Sequence, residues 1–170
     1  MVRDSEDFDY RDGEGQDWIA YWHRPDLPPP DGERHGPSGI CFTTDGDILL
    51  VGLDDIPWEF PGGRPEGEED WRATLDREVL EEACCSVEEA TLLGFIRIRC
   101  VRGRQEGLVR VRSLWRATVS VHPWVPLHEI RRRLISSSDE ALKLVQFGRG
   151  LRQIYQRWFD DATRDEATTS

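Results

Sequence analysis

Apolar and polar positions alternate along this chain with two periods, and the change from one to the other outlines the elements. The run Trp18-Ile19-Ala20-Tyr21-Trp22 is rich in strand formers and predicts a first β-strand. A proline-rich stretch at 25–30 closes it, and a loop follows as far as Pro37. Apolar runs at 39–42 and 48–51 flank the turn Thr44-Asp45-Gly46-Asp47 and predict a hairpin of buried strands. Trp58-Glu59-Phe60 predicts a short aromatic strand stopped by Pro61-Gly62-Gly63. Over 70–83 the period lengthens to that of a helix. Residues 92–101 and 108–119 alternate apolar with Arg or Ser and predict a second hairpin around 102–107. A short helix is expected over 126–134 and a longer one over 138–159, with Ser138 as N-cap and Asp139 and Glu140 in its first turn. Residues 1–15 are acidic with little to bury, and a frayed terminus is expected there. No internal repeat is visible. Strands mixed with helices in this way predict an α/β (α+β) domain of layered α/β/α type.

A length of 170 residues suits one globular domain. The net charge of −11 argues against binding of polymeric nucleic acid, which depends on basic faces that release counterions. Small anionic substrates need only a local positive pocket. No apolar run approaches the length of a membrane span, and the start MVRDSEDFDYRD lacks the basic and apolar parts of a secretory signal, so a cytoplasmic protein with no membrane partner is expected. Cys41, Cys84, Cys85 and Cys100 show no Cys-x-x-Cys spacing and read as small buried hydrophobes.

The segment from Gly62 to Cys85 carries the chemistry. At about 100° per residue, with Glu78 at zero, Trp71, Leu75, Val79 and Ala83 fall near 20°, 60°, 100° and 140°, one apolar stripe. On the same wheel Glu81 lies near −60° and Glu82 near 40°, at about 100° per residue, so Glu82 sits inside the edge of the stripe and Glu78 borders it. Close carboxylates beside a core repel one another and lose solvation, an arrangement that cations relieve. Oxygen-only ligands favour magnesium, with manganese or calcium as alternatives to it, over zinc. Magnesium shares its shell with phosphate oxygens, which makes a phosphate ester or anhydride the matching substrate. Gly62 and Gly63 allow close backbone approach to a ligand or metal, and Arg64 offers a fork for phosphate.

Gly63, Glu69, Arg77, Glu78, Val79, Glu81 and Glu82 stand in the register of the Nudix signature: Gly, five residues, Glu, seven residues, Arg-Glu, an aliphatic, any residue, Glu-Glu, any residue, Gly, an aliphatic. Chance agreement at the six single-residue positions is roughly 1 in 10⁵. The chain therefore resembles the Nudix hydrolase family, and the lead-in Trp58 to Gly63 looks like that of its MutT-related branch. The resemblance, specific over 58–85 and diffuse over 39–134, implies a Nudix-type α/β/α sandwich with a mixed β-sheet; the domain is expected over 37–160, after an N-terminal extension at 1–36 with a possible strand and a proline-rich loop, and before a disordered tail at 161–170. It implies magnesium held by Glu78, Glu82, Glu81 and the Gly63 backbone, with Arg77 orienting the glutamates and Glu69 anchoring Arg77. The implied activity is hydrolysis of the diphosphate linkage of a nucleoside di- or triphosphate or a nucleoside diphosphate derivative. ADP-ribose or nucleotide-sugar cleavage is the rival within the family, and a ligand-sensing or partner-binding module without turnover the rival outside it. A homodimer is compatible with either.

Two positions depart from the family pattern. Cys84 replaces the last glycine of the signature, which should disfavour a left-handed helix cap. The late glutamate that many members place before a tryptophan is replaced by His122-Pro123 ahead of Trp124. Glu106, in the hairpin loop between Gly103 and Gly107, and Glu129 are the candidates to stand in, with Glu106 favoured. Arg97, Arg99, Arg102, Arg104, Arg110, Arg112 and Arg116 crowd one hairpin, as a phosphate-facing sheet or as a solvated face. Trp58, Trp115 and Trp124 read as packing rather than base stacking, and His23, His35, His122 and His128 as ordinary surface or core.

Overall fold

The computed structural model describes residues 6–55, 57–126, 132–147 and 149–164. Strands β1 (Asp7–Arg11), β2 (Asp17–His23), β3 (Glu33–Phe42), β4 (Ile48–Gly52), β5 (Cys85–Arg102), β6 (Val109–Val121) and β7 (Arg132–Ser136) form a seven-stranded mixed sheet in the order β1-β2-β5-β6-β3-β4-β7. Helices α1 (Trp71–Ala83), α2 (Ser138–Leu144) and α3 (Arg152–Arg164) complete an α+β fold. No helix among the described residues is long and apolar enough to cross a membrane. Contacts divide the chain into two compact units.

The first unit comprises Met1–His35, Leu92–Leu114 and Phe147–Ser170. Here β2 pairs antiparallel with β1, Asp7 opposite Tyr21, and with β5, Trp22 opposite Ile96. Strict alternation buries Trp18, Ala20 and Trp22 on one face of β2. In α3, Ile154, Trp158 and Ala162 recur at i, i+4 and i+8 and are fully buried, the stripe of a core-facing helix. The Arg157 guanidinium stacks over the Trp22 ring, 4.5 Å from its centroid. Residues 6–11 are not frayed as expected: β1 completes its hydrogen bonds on β2 and buries Phe8, so tertiary pairing outweighs the local polarity. Asp12 then turns the chain, accepting the Glu14 and Gln16 amides and the Trp18 indole N–H. The expected tail begins inside α3, which reaches Arg164; residues 165–170 lie outside the described residues.

The second unit comprises Gly36–Thr91 and Trp115–Gln146. The predicted hairpin is β3–β4, with Phe42 opposite Ile48 across the 43–47 turn, and β4 pairs on its other edge with β7. Helix α1 packs Leu75, Val79 and Ala83 against Cys41 of β3, Leu49 and Val51 of β4, Cys85 of β5, and Ala117 and Val119 of β6. Each such Leu or Val is worth about 1.5–3 kcal/mol when fully buried. This core anchors the helix that carries the glutamates.

Several boundaries differ from the sequence expectation. The loop expected up to Pro37 is partly strand, because β3 begins at Glu33 and Ser38 bridges Gly62. Trp58 to Phe60 contributes isolated bridges, Glu59 with Val51 and Trp58 with Val145, instead of a strand. Residues 132–134, expected in a helix, lie in β7: the free edge of β4 offers hydrogen bonds that outweigh local helix preference. Residues 127–131, with His128 and Glu129, lie outside the described residues. The expected long helix is two helices, since Val145 turns extended at the end of α2 and its Trp58 bridge interrupts the ladder. Ser137, not Ser138, occupies the N-cap position of α2.

Candidate active site

The glutamates converge because a short loop and one helix are locked to each other. Asp70 caps α1, its side chain accepting the Ala73 amide. Upstream, the Glu66 and Glu69 main chains bond in a tight turn that sets Gly67 in the left-handed region and brings Glu69 back over the first turn of α1. Glu69 there accepts the Glu66 amide at 3.1 Å and the buried Thr74 hydroxyl at 2.9 Å.

Arg77 is the hub. Its Nε and Nη2 donate to the two oxygens of Glu69 at 2.8 and 3.1 Å, a bidentate pair. Nη1 donates to Glu78 at 3.0 Å and to Glu81 at 3.1 Å, and Nη2 also donates to the Arg64 carbonyl at 2.8 Å. All five N–H groups of the guanidinium are thereby used. Its side chain is only 18% exposed, and its pKa is raised, first by the hydrogen bond to Glu69. The same bond, with the Glu66 amide, holds the Glu69 carboxyl at about 2.

Glu78 is more deeply set, its side chain 13% exposed, and burial pushes its carboxyl above the ordinary range while Arg77 opposes the shift. Its carboxylate lies against Gly63, where an added Cβ would stand 2.1 Å from Oε1. Gly62 donates its N–H to Glu82 at 3.1 Å, and a Cβ there would stand 2.3 Å from the Pro37 carbonyl. Neither glycine has a positive φ, so the pair is required by close packing of backbone on β3 and on Glu78. The Gly63 carbonyl packs against Gly36, which is in the left-handed region and has no room for a side chain either.

Glu69, Arg77, Glu78 and Glu81 are thus joined through one guanidinium, and Glu82 is tied to Gly62 on the same helix and loop. Arg64 joins through its carbonyl; its side chain is exposed. Glu106 belongs to the first unit, in the turn of the β5–β6 hairpin, where its amide donates to Gly103. That turn is anchored by Gln105 N–H on the buried Gln16 and by the Arg104–Glu14 ion pair. Glu129 lies outside the described residues. Thr74 was not among the residues expected here, although at about 100° per residue it falls between Glu81 and Glu78 on the wheel, a signal that was present.

The donor set fits a hard divalent cation. It is all oxygen, it lies within two turns of one helix, and one carboxylate is already forced up by desolvation. Among the described residues no three carboxylate, imidazole or thiol groups surround one point. Arg77 Nη1 stands between Glu78 and Glu81, the cationic charge these carboxylates have in this arrangement.

Cys84 corrects an expectation. It takes the left-handed cap conformation, φ 51° and ψ 46°, despite its side chain, and its N–H closes the helix on Leu80 and Val79. A non-glycine residue there costs roughly 1–2 kcal/mol, offset by hydrogen bonds. Its Sγ donates to the Val125 carbonyl at 3.3 Å, and its own carbonyl accepts the His122 amide at 2.9 Å. Cys41, Cys85 and Cys100 are buried, and burial raises the Cys41 and Cys85 thiols.

The hairpin arginines are largely engaged within the protein. Arg102 and Arg104 pair with Asp17 and Glu14, Arg97 donates to the Asp31 carbonyl, Arg110 stacks on Trp18 and Arg116 on Phe42. Trp58 and Trp124 carry Arg132 and Arg133 on their faces, and Trp115 packs against the core beneath α1.

A NUDIX domain model matches residues 33–145. No curated protein sequence matches the chain. Among solved structures, it is similar to the Bacillus subtilis pyrophosphohydrolase BsRppH, at 19% identity over 93% of this chain and 97% of that one, with a TM-score of 0.70. It is similar to a NUDIX hydrolase from Nitrosomonas europaea, at 21% identity over 79% and 90%, TM-score 0.59. It is also similar to the NUDIX domain of Shewanella oneidensis NrtR complexed with ADP ribose, at 16% identity over 78% and 92%, TM-score 0.55. At these identities the structural likeness is one of fold, and the family match rests on the domain model together with the signature residues. The chain belongs to the Nudix hydrolase family.

Proposed function

We propose that the protein is a magnesium-dependent pyrophosphohydrolase that cleaves the diphosphate linkage of a nucleoside di- or triphosphate or a nucleoside diphosphate derivative. The observation that carries this is the Arg77 hub, which presents Glu78 and Glu81 side by side at the loop that begins with Gly63. Glu78, Glu81 and Glu82, with the Gly63 carbonyl, would hold the cation; manganese suits the same ligands. When bound, such a cation neutralises diphosphate charge and polarises the phosphoryl oxygens.

The chain's own residues divide the remaining work. Water forms the new P–O bond, the bridging anhydride P–O bond breaks, and the proton from water passes to a carboxylate. Glu69 is unsuited to take it: four donors hold its oxygens, and at about 2 its carboxyl is a weak base. It anchors Arg77. Arg77 has no N–H left for substrate and acts by positioning Glu78 and Glu81. The proton acceptor is therefore a box glutamate or Glu106, and Arg64, whose side chain is exposed beside the loop, contacts the phosphates.

ADP-ribose forms a second substrate class, favoured by the likeness to the NrtR domain solved with that ligand. A screen of nucleoside diphosphate derivatives with magnesium, products resolved by mass, distinguishes the classes. A monophosphate plus pyrophosphate marks a triphosphate substrate, whereas AMP plus ribose phosphate marks ADP-ribose. Turnover undiminished by excess chelator, or no turnover on any diphosphate, would overturn the proposal.

A further inference from the structure

The box glutamates Glu81 and Glu82 stand in the last turn of α1, and helix ends fray unless their free carbonyls find donors. That turn contains no basic residue of its own, and the residue after it is Cys84, the only described residue other than glycine with a positive φ. The Cys84 N–H closes the turn on Leu80 and Val79, and the Ala83 carbonyl at the end of the helix takes a donor from elsewhere.

Arg133, on β7 and fixed in register opposite Val51, supplies it. Its Nη1 donates to the Ala83 carbonyl at 2.9 Å and the His122 carbonyl at 2.9 Å, and reaches the Cys84 carbonyl at 3.5 Å. The guanidinium lies over Trp124, 5.1 Å from the ring centroid, which fixes its plane. A positive charge placed there also meets the negative end of the helix dipole. The His122 amide completes the latch by donating to the Cys84 carbonyl.

The geometry points to Arg133 as a positioning residue: from another strand it clamps the strained end of α1 and so holds Glu81 and Glu82 in place for the cation. This rests on the proposed magnesium chemistry for its functional half, while the clamp itself is a property of the metal-free chain. The pairing of Cys84 with Arg133 gives it a specific signature. A glycine at 84 needs no clamp, so Cys84→Gly should rescue a chain that has lost Arg133.

The experiment compares wild type, Arg133→Met, Cys84→Gly and the double variant, using the full chain. Amide hydrogen exchange without metal reads the last turn of α1, and a magnesium titration of turnover reads the half-saturating concentration separately from the substrate KM. Arg133→Met is expected to speed exchange at Ala83 and Cys84 at least about tenfold and to raise the magnesium requirement about fivefold or more with substrate KM little changed. The double variant should recover most of both. If Arg133→Met fails to fold, Arg133→Lys is used in its place, since it keeps the charge but gives up the planar guanidinium that lies over Trp124 and sets the direction of these bonds. Unchanged exchange at these amides, or no rescue by Cys84→Gly, overturns the clamp. Faster exchange with an unchanged magnesium requirement overturns the positioning role. If wild type shows no magnesium-dependent turnover, the proposed function falls, and the exchange data still decide the clamp.

Discussion

The carboxylate of Glu78 occupies the space beside Gly63 where any larger residue would place its Cβ, 2.1 Å from Oε1. The glycine that opens the signature and the glutamate fifteen positions later are thus two halves of one packing arrangement. Because Gly63 is not in the left-handed region, Gly63→Ala tests packing without backbone strain. We expect turnover to fall at least about a hundredfold while stability falls by only about 1–3 kcal/mol, the usual cost of one excess methyl group. Steady-state kinetics beside urea unfolding checks this; activity near the parent's would show that Glu78 can move aside freely.

Glu82→Gln keeps an acceptor oxygen for the Gly62 N–H and removes the charge. The fold should survive and be no less stable without metal, while turnover should drop by about two orders of magnitude or more, equivalent to about 2.7 kcal/mol. A near-parental rate on the best substrate would remove Glu82 from the metal shell.

Arg77→Lys conserves charge and gives up the five-donor fork. A single ammonium cannot serve Glu69, Glu78, Glu81 and the Arg64 carbonyl together, so turnover should fall at least about tenfold. An active Arg77→Lys enzyme would mean that charge alone organises the cluster.

The Glu69 carboxyl is held at about 2, below its ordinary 4.5, mainly by Arg77. A depressed folded-state pKa gives stability that is present above the ordinary value and is lost as pH falls from about 4.5 through about 2. Without divalent cation, wild type should therefore exceed Glu69→Gln in thermal midpoint at pH 6, and the gap should close toward pH 2. Glu78, with its pKa raised, contributes in the opposite sense and penalises the fold as pH rises through its titration. A gap between the two proteins that persists unchanged at pH 2 would contradict the role given to the Glu69–Arg77 pair.

Glu106 is the proposed stand-in for the late glutamate. Glu106→Gln should lose more than about tenfold in turnover, about 1.4 kcal/mol, with Glu129→Gln within about threefold of the parent. Equal small effects would place the proton acceptor within the box, and the reversed order would move the role to Glu129.

Local patterns alone marked out the helix over 70–83, its buried Leu75, Val79 and Ala83, both hairpins and the family, because apolar periodicity and fixed spacing along one helix survive in any surroundings. They also placed Glu78 and Glu82 at the edge of the apolar stripe, since a helix determines its own angular order. What they left open depended on partners distant in sequence. Strand β1 forms from an acidic, weakly apolar segment only because β2 is there to pair with it. Residues 132–134 become strand because β4 presents an open edge. The tight contact of Gly63 with Glu78 and the use of every Arg77 donor required the loop to be folded onto the helix. Cys84 shows the division most directly: its own chemistry disfavours the left-handed cap, yet it adopts that conformation where its carbonyl accepts the His122 amide and the adjoining Ala83 carbonyl accepts Arg133, contacts that only the folded chain supplies.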